Sequence, residues 1–179
     1  MNSRPTFKLT ASVTIWFAVA AALTLAESPQ RDPDEVKARL IINFMLGVHW
    51  PAKAFPDAGA PFKIGICGSD TFGELLNGRT IATRKVVLVR SRRMEDLKVC
   101  QIVFVAKGES GRADEIVGGL KGTNVLTIGE TEGFAARGGI INFVLDGEKM
   151  GYELNAAAAR RNGLDIGSKV ARSAKPVGE

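Results

Sequence analysis

The run Val99–Ala106 (VCQIVFVA) is apolar at every position except Gln101. A half-exposed strand alternates apolar and polar side chains. A continuous apolar run of this length is what a central strand needs when helices cover both faces of its sheet. Other segments supply the rest of such a layered domain. Phe62–Cys67 (FKIGIC) reads as a second buried strand, Val86–Val89 as a third and Val125–Ile128 (VLTI) as a fourth. Ile140–Leu145 and Met150–Leu154 flank Asp146-Gly147, a turn pair that predicts a hairpin.

Helical patterns lie between the strands. Asp32-Pro33-Asp34-Glu35 is a helix start, with Asp32 as cap and Pro33 at the first helical position. Val36, Leu40, Ile41, Phe44, Met45 and Val48 follow at helical spacing, and Trp50-Pro51 stops the run. Short helices are predicted from Ser69-Asp70 to Leu76, over Ala113–Leu120, and over Ala156–Asn162 with Asn155 as cap and Gly163 as stop; Thr131–Ala136 reads as a helical turn. Residues 27–31 and 173–179 read as frayed ends. The order α-β-α-β-β-α-β-α-β-β-α predicts a single α/β domain: a mixed β-sheet of about five to six strands flanked by helices, a Rossmann-like sandwich.

The amino terminus belongs to a different physical regime. Arg4 and Lys8 precede Leu9–Ala26, which holds no charged residue and is strongly apolar at its centre; Ala26 is small, and Glu27-Ser28-Pro29 turns polar. Positive start, apolar run, small residue and polar break make a cleavable export signal over residues 1–26, leaving a domain over 27–179. The alternative is an uncleaved anchor, but the run is at the lower limit for a bilayer span and is diluted by Thr10, Ser12, Thr14 and Thr24. The expected location is outside the cytoplasm. Of the 24 Lys+Arg the signal carries two and of the 19 Asp+Glu none, so the mature charge is 22 − 19 = +3. That balance is no nucleic-acid footprint.

Export changes the reading of Cys67 and Cys100, the two cysteines of the chain. In an oxidising compartment an even pair is expected to bridge, closing a loop of about 34 residues worth roughly 3–4 kcal/mol. The other reading is two buried thiols. Cys67 ends one predicted strand and Cys100 opens another. In parallel strands of equal register those ends stand roughly 17 Å apart, so a bridge demands a staggered or antiparallel pair.

No constellation for catalysis or metal binding emerges. His49 is the single histidine, which removes Ser/Cys–His catalysis and multi-histidine metal sites; beside Trp50-Pro51 it reads as a packing or capping residue. Gly68–Gly73 has the glycine spacing of a phosphate loop but continues Glu74-Leu75 where that motif needs Lys and Ser/Thr. Asp146, Glu148 and Glu153 share the hairpin, with nothing to set two of them across a cleft as acid and base. No catalytic residue, metal or cofactor is therefore assigned. Arg84, Lys85, Arg90, Arg92 and Arg93 crowd five cations into ten residues. Such a cluster guards a strand edge, or contacts an acidic partner or lipid head groups. Trp50, Arg90, Arg92 and Arg93 are the candidate partner-binding residues.

Several segments, taken in order and spacing, resemble the YfiR family of periplasmic proteins. They are Leu40–Phe44 through Trp50-Pro51, Ile64–Gly68 with Phe72-Gly73, Cys100–Val105, Val125–Ile128, Phe134 with Gly138–Ile141, and Tyr152–Asn155 followed by an alanine-rich helix, Gly163-Leu164 and Ile166. The resemblance runs from about Val36 to Ala174. It implies a periplasmic α/β domain, often a homodimer, whose partner is an inner-membrane signalling protein. The type member represses a diguanylate cyclase and so lowers cyclic di-GMP and biofilm formation. It also implies a disulfide between Cys67 and Cys100; the second cysteine pair of the type member has no counterpart, Ile141, Asn142 and Val144 standing in that region. Three functions follow in order of preference: a repressor or sensor bound to a membrane enzyme, a small-molecule-binding module with its ligand at the strand ends, and, last, an enzyme.

Overall fold

A computed structural model describes residues 32–147 and 149–177. The export signal read at residues 1–26 lies outside the described residues, as does Glu148. Helix α1 (Pro33–Gly47) begins as its sequence demands, with Asp32 Oδ1 accepting from the Asp34 amide at 2.9 Å and Pro33 in the first turn. Ala38, Ile41 and Phe44 form its buried stripe. The chain then runs through β1 (Val48–His49) and a 3-10 turn (Ala52–Ala54) into β2 (Phe62–Cys67). After a second 3-10 turn (Gly73–Leu75) come β3 (Thr80–Ile81), β4 (Arg84–Arg90), α2 (Met94–Lys98) and β5 (Ile102–Val105). A third 3-10 segment (Lys107–Arg112) leads into α3 (Ala113–Gly119), followed by β6 (Leu126–Gly129), β7 (Ile141–Asp146) and β8 (Lys149–Leu154). The chain closes with α4 (Ala156–Arg161), β9 (Asp165–Ile166), α5 (Ser168–Ser173) and β10 (Lys175–Pro176).

The main sheet has the order β10-β8-β7-β6-β5-β2-β4-β3. Strands β4, β2, β5, β6 and β7 run parallel, β8 returns antiparallel to β7, and the two-residue strands β10 and β3 finish the edges. The expected mixed sheet flanked by helices is therefore present, with the short edge strands added. The period of two in β2 and β5 divides the interior between two faces. Ile64, Ile66, Ile102 and Phe104 pack with Ile41 and Phe44 of α1, Ala158 and Ala159 of α4 and Val170 of α5. Cys67, Val103 and Val105 pack on the other face with Leu97 of α2 and Ala113, Ile116 and Leu120 around α3. Both faces of the central strands are dry, which is why they read as unbroken apolar runs.

The structure departs from the sequence expectations at short elements. No α-helix forms over Ser69–Leu76: Asp70 Oδ1 captures the Gly73 amide at 2.5 Å and Phe72 turns into the core, so only the 3-10 turn survives. The central strand starts at Ile102, not Val99; Val99 is 56% exposed and follows α2, a five-residue helix too short to show a period. Thr131–Ala136 is a series of turns closed by Phe134 N to Thr131 O at 3.0 Å and Arg137 N to Gly133 O at 3.0 Å. The segment read as a frayed tail instead enters α5 and β10. His49 is not packed: its side chain is 70% exposed, with Nδ1 3.8 Å from Asp165 Oδ2 across the β1–β9 pair.

No bridge joins Cys67 and Cys100 in the structure. Both cysteines are free and buried. Parallel pairing sets Cys67 opposite Val105, not opposite Cys100. The Cys100 Sγ lies beside Gly65, 3.1 Å from where a Cβ would stand on that residue. Gly65 precedes Cys67 by two positions on the same face, roughly 7 Å back along the strand, beyond the ~3.5–4.5 Å that separates bridged Cβ atoms. The Cys67 Sγ is instead engaged by Glu109 Oε2 at 4.0 Å and Arg112 Nη1 at 3.9 Å.

Candidate functional site

In an open α/β sheet the crevice for a ligand falls at the carboxyl ends of the strands where the strand order reverses. Here the chain goes from β2 outward to β4, then returns to the other side of β2 as β5. The loops after β2 and β5 therefore part at this point. Gly68 makes their approach possible, since at φ +97° a Cβ would meet Ala106 Cβ and Glu109 Cγ at 2.9 Å.

A crevice beside the loop after β2 measures about 140 Å³ and is lined by Lys37, Asp70, Thr71, Phe72, Phe104 and Glu130, among others. It falls below the ~300–1,000 Å³ of ordinary small-molecule sites. An internal ion pair belongs to it: Lys37 Nζ lies 2.7 Å from Glu130 Oε2, and Glu130 Oε1 accepts from the Lys107 amide at 3.1 Å. The strand-end crevice is thus a seam between α1 and the ends of β2, β5 and β6, with its own charges already matched.

The arginines beside it are also engaged internally. Arg90 stands opposite Ile66 at the carboxyl end of β4. Its Nη2 is 2.9 Å from Glu74 and 3.3 Å from Asp70 Oδ2. The Asp70 side chain is fully buried, and Oδ2 has the arginine charge as neighbour without a hydrogen bond. Arg92 reaches the buried Glu109 at 2.7 and 2.8 Å, and Arg112 lies 3.7 Å from the same carboxylate and 2.9 Å from Glu115. The hydrogen bond from Arg112 pulls the Glu115 carboxyl below its ordinary range. Arg93 keeps only a 3.7 Å pair with Glu95 and is 76% exposed. Of the three candidate partner-binding arginines, Arg93 is the most exposed, at 76% against 67% for Arg92 and 46% for Arg90.

Trp50 lies elsewhere. Its ring meets Phe62 edge-on at 5.1 Å, and Nε1 donates to the Gln101 carbonyl at 3.2 Å. That is the amino end of β2, so Trp50 and the arginines occupy opposite edges of the sheet and form no common surface. Burial holds both thiols above the ordinary cysteine range. Burial raises the Cys67 thiol, Glu109 adds to the rise, and Arg112 and Arg92 oppose it. Burial pushes Cys100 to about 11. Sequence reasoning missed Lys37, Glu109 and Glu130: Lys37 and Glu130 stand 93 positions apart and Arg92 and Glu109 17 apart, and only the fold brings them together. Among the described residues no group of three or more His, Cys, Asp or Glu is placed to hold a metal ion.

A family profile described as YfiR/HmsC-like matches residues 34–175. No curated protein matches the chain. Among solved structures, a conserved domain protein from Vibrio cholerae O1 biovar El Tor str. N16961 aligns with a TM-score of 0.55 at 12% identity, over 82% of this chain and 60% of that one. The ABC domain from Streptococcus pneumonia, solved in complex with L-Trp, aligns with a TM-score of 0.50 at 11% identity, over 79% of this chain and 60% of that one. At such identities the likeness shows a shared fold. The chain spans 60% of the length of each of these two structures.

Proposed function

The chain belongs to the YfiR/HmsC-like family, and from that membership we propose that it is a periplasmic regulatory protein that binds an inner-membrane signalling enzyme. On this reading the partner is a diguanylate cyclase. The protein engages the partner's periplasmic domain and represses it, lowering cyclic di-GMP and biofilm formation. It is a binder and not a catalyst, and it works as a homodimer after its leader is removed near Ala26.

One observation carries this reading: the family match over residues 34–175 takes in nearly every element of the domain. The carboxyl edge supports it in a secondary way. There Arg93 projects into solvent while Arg90 and Arg92 are braced by carboxylates, so an acidic partner surface would meet preorganised cations.

Deleting the gene in its native host and measuring cyclic di-GMP tests the proposal. The level is expected to rise, and to fall again on complementation with the wild-type gene. Complementation with R93E is expected to restore it less completely. A level unchanged by deletion, in cells that express the cyclase partner, overturns repression as the function.

A further inference from the structure

The largest cleft among those described lies at the amino edge of the sheet, away from the strand-end crevice. It measures about 620 Å³, within the range of sites that hold small organic molecules. Its wall includes Lys53 from the Ala52–Ala54 turn, Lys63 from β2 and Lys98 from the end of α2. None of these ammonium groups has a carboxylate within 4.0 Å among the described residues. This sets them apart from Lys37, Arg90, Arg92, Arg112, Arg137 and Lys175, all of which are ion-paired. The one carboxylate on the wall is Asp57, whose Oδ1 already accepts from the Gly59 amide at 2.8 Å.

The cleft is held open by its own framework. Gln101 is buried beneath it, with Oε1 accepting from the Lys63 amide at 2.8 Å and Nε2 donating to the Ala54 carbonyl at 2.6 Å. One amide side chain thus ties two of the lysine-bearing segments to the start of β5. Asn124 adopts φ +63° and donates Nδ2 to the Asn162 carbonyl at 2.8 Å. Apart from Thr123 the remaining wall is apolar, and Val99, 56% exposed, adds an aliphatic surface that the protein's own core does not use. Convergent cations around a concave, partly apolar surface suit an anion with a hydrocarbon body: the charge meets the lysines and the body covers Val99 and its neighbours.

We propose that this cleft, with Lys53, Lys63 and Lys98 as its cations, is a binding site for a small organic anion, a carboxylate or phosphomonoester on an apolar or aromatic body. The site does not rest on the regulatory reading, since ligand binding is measured on the isolated protein. Calorimetric titration of the full mature chain with phenylacetate, phenyl phosphate, phenylacetamide and inorganic phosphate tests it. Phenylacetate and phenyl phosphate are expected to bind at millimolar concentration or below. The neutral amide, which lacks the charge, and inorganic phosphate, which lacks the body, are expected to bind at least about tenfold more weakly. The K63Q/K98Q variant is expected to lose at least about tenfold in affinity for phenylacetate, while R93Q on the other edge keeps it, both variants showing wild-type circular dichroism. Equal binding of the amide, affinity retained in K63Q/K98Q, or no binding of either organic anion at millimolar concentration each overturns the proposal. If K63Q/K98Q does not fold, amide chemical shifts of Val99, Gln101 and Asn124 in the wild-type protein decide the matter. They must move on adding phenylacetate, and their failure to move overturns the site.

Discussion

The Cys100 side chain, which follows α2 and precedes β5, sits over Gly65 of β2. The Cys100 sulfur and Leu97 Cδ2 fill the space that a side chain at position 65 would take. Cys67 lies two positions further along β2. A cysteine at 65 would carry its Cβ 3.1 Å from the Cys100 Sγ, inside the reach of a bridge. Gly65→Cys is therefore expected to form a disulfide with Cys100 under mild oxidation, leaving Cys67 as the lone free thiol. Peptide mapping after blocking free thiols reads this directly; three alkylated cysteines in the oxidised variant would refute the geometry. The wild-type protein, treated in the same way, is expected to show both thiols free. Spacing along the chain gave a pair of cysteines but no register, and the register decides which positions face each other.

At the scale of elements, units marked by a capping residue, a turn pair or a sustained apolar pattern were legible and the others were not. Helix α1, the strands β2 and β4, the β7–β8 hairpin and α4 follow from capping residues, apolar periodicity and Asp146-Gly147. Helices α2 and α5 span one or two turns, too few for a period to emerge, and they exist because the tertiary structure gives each a buried anchor: Leu97 in one, Val170 in the other. The hold on α5 is specific. Tyr152 in β8 donates its hydroxyl to the Val170 carbonyl at 2.7 Å in a buried setting, and the Gly167 amide donates to the Gly47 carbonyl at 2.8 Å. Tyr152→Phe removes the first bond and strands a buried carbonyl, at a cost of about 1–2 kcal/mol. Hydrogen exchange should report the loss in 168–173 well before it reaches β2 and β5. Uniform acceleration across the domain would mean that α5 is not a separately held unit.

For the whole molecule, what matters is how α1 is fixed to the sheet. It arrives first in the described chain and must dock across strands that come later. Its apolar stripe supplies the adhesion, and Lys37–Glu130 supplies a polar lock between its second turn and the end of β6. The two side chains are 18% and 21% exposed, so their pairing is partly desolvated. Lys37→Met is expected to destabilise the fold by about 1–3 kcal/mol, because the Glu130 carboxylate loses its counter-charge. Lys37→Met/Glu130→Gln is expected to recover part of that loss. Denaturant unfolding of the two singles and the double measures the coupling, and strict additivity would show that the pair carries no joint energy.

By itself the sequence determined the layered α/β class. Unbroken apolar runs such as Val103–Val105, with helical stripes between them, have few solutions besides a sheet covered on both sides. The caps and turns that start α1 and α4 and close the hairpin were equally local, each resting on residues within a few positions of one another. Strand order, register and the pairing of distant charges were decided only in three dimensions. Lys37 and Glu130 meet across 93 positions, Arg92 and Glu109 across 17, and Gln101 ties together segments 38 and 47 residues away. Such pairs leave no periodic trace in the chain, because their separation is set by the path of the fold and not by the repeat of any one element.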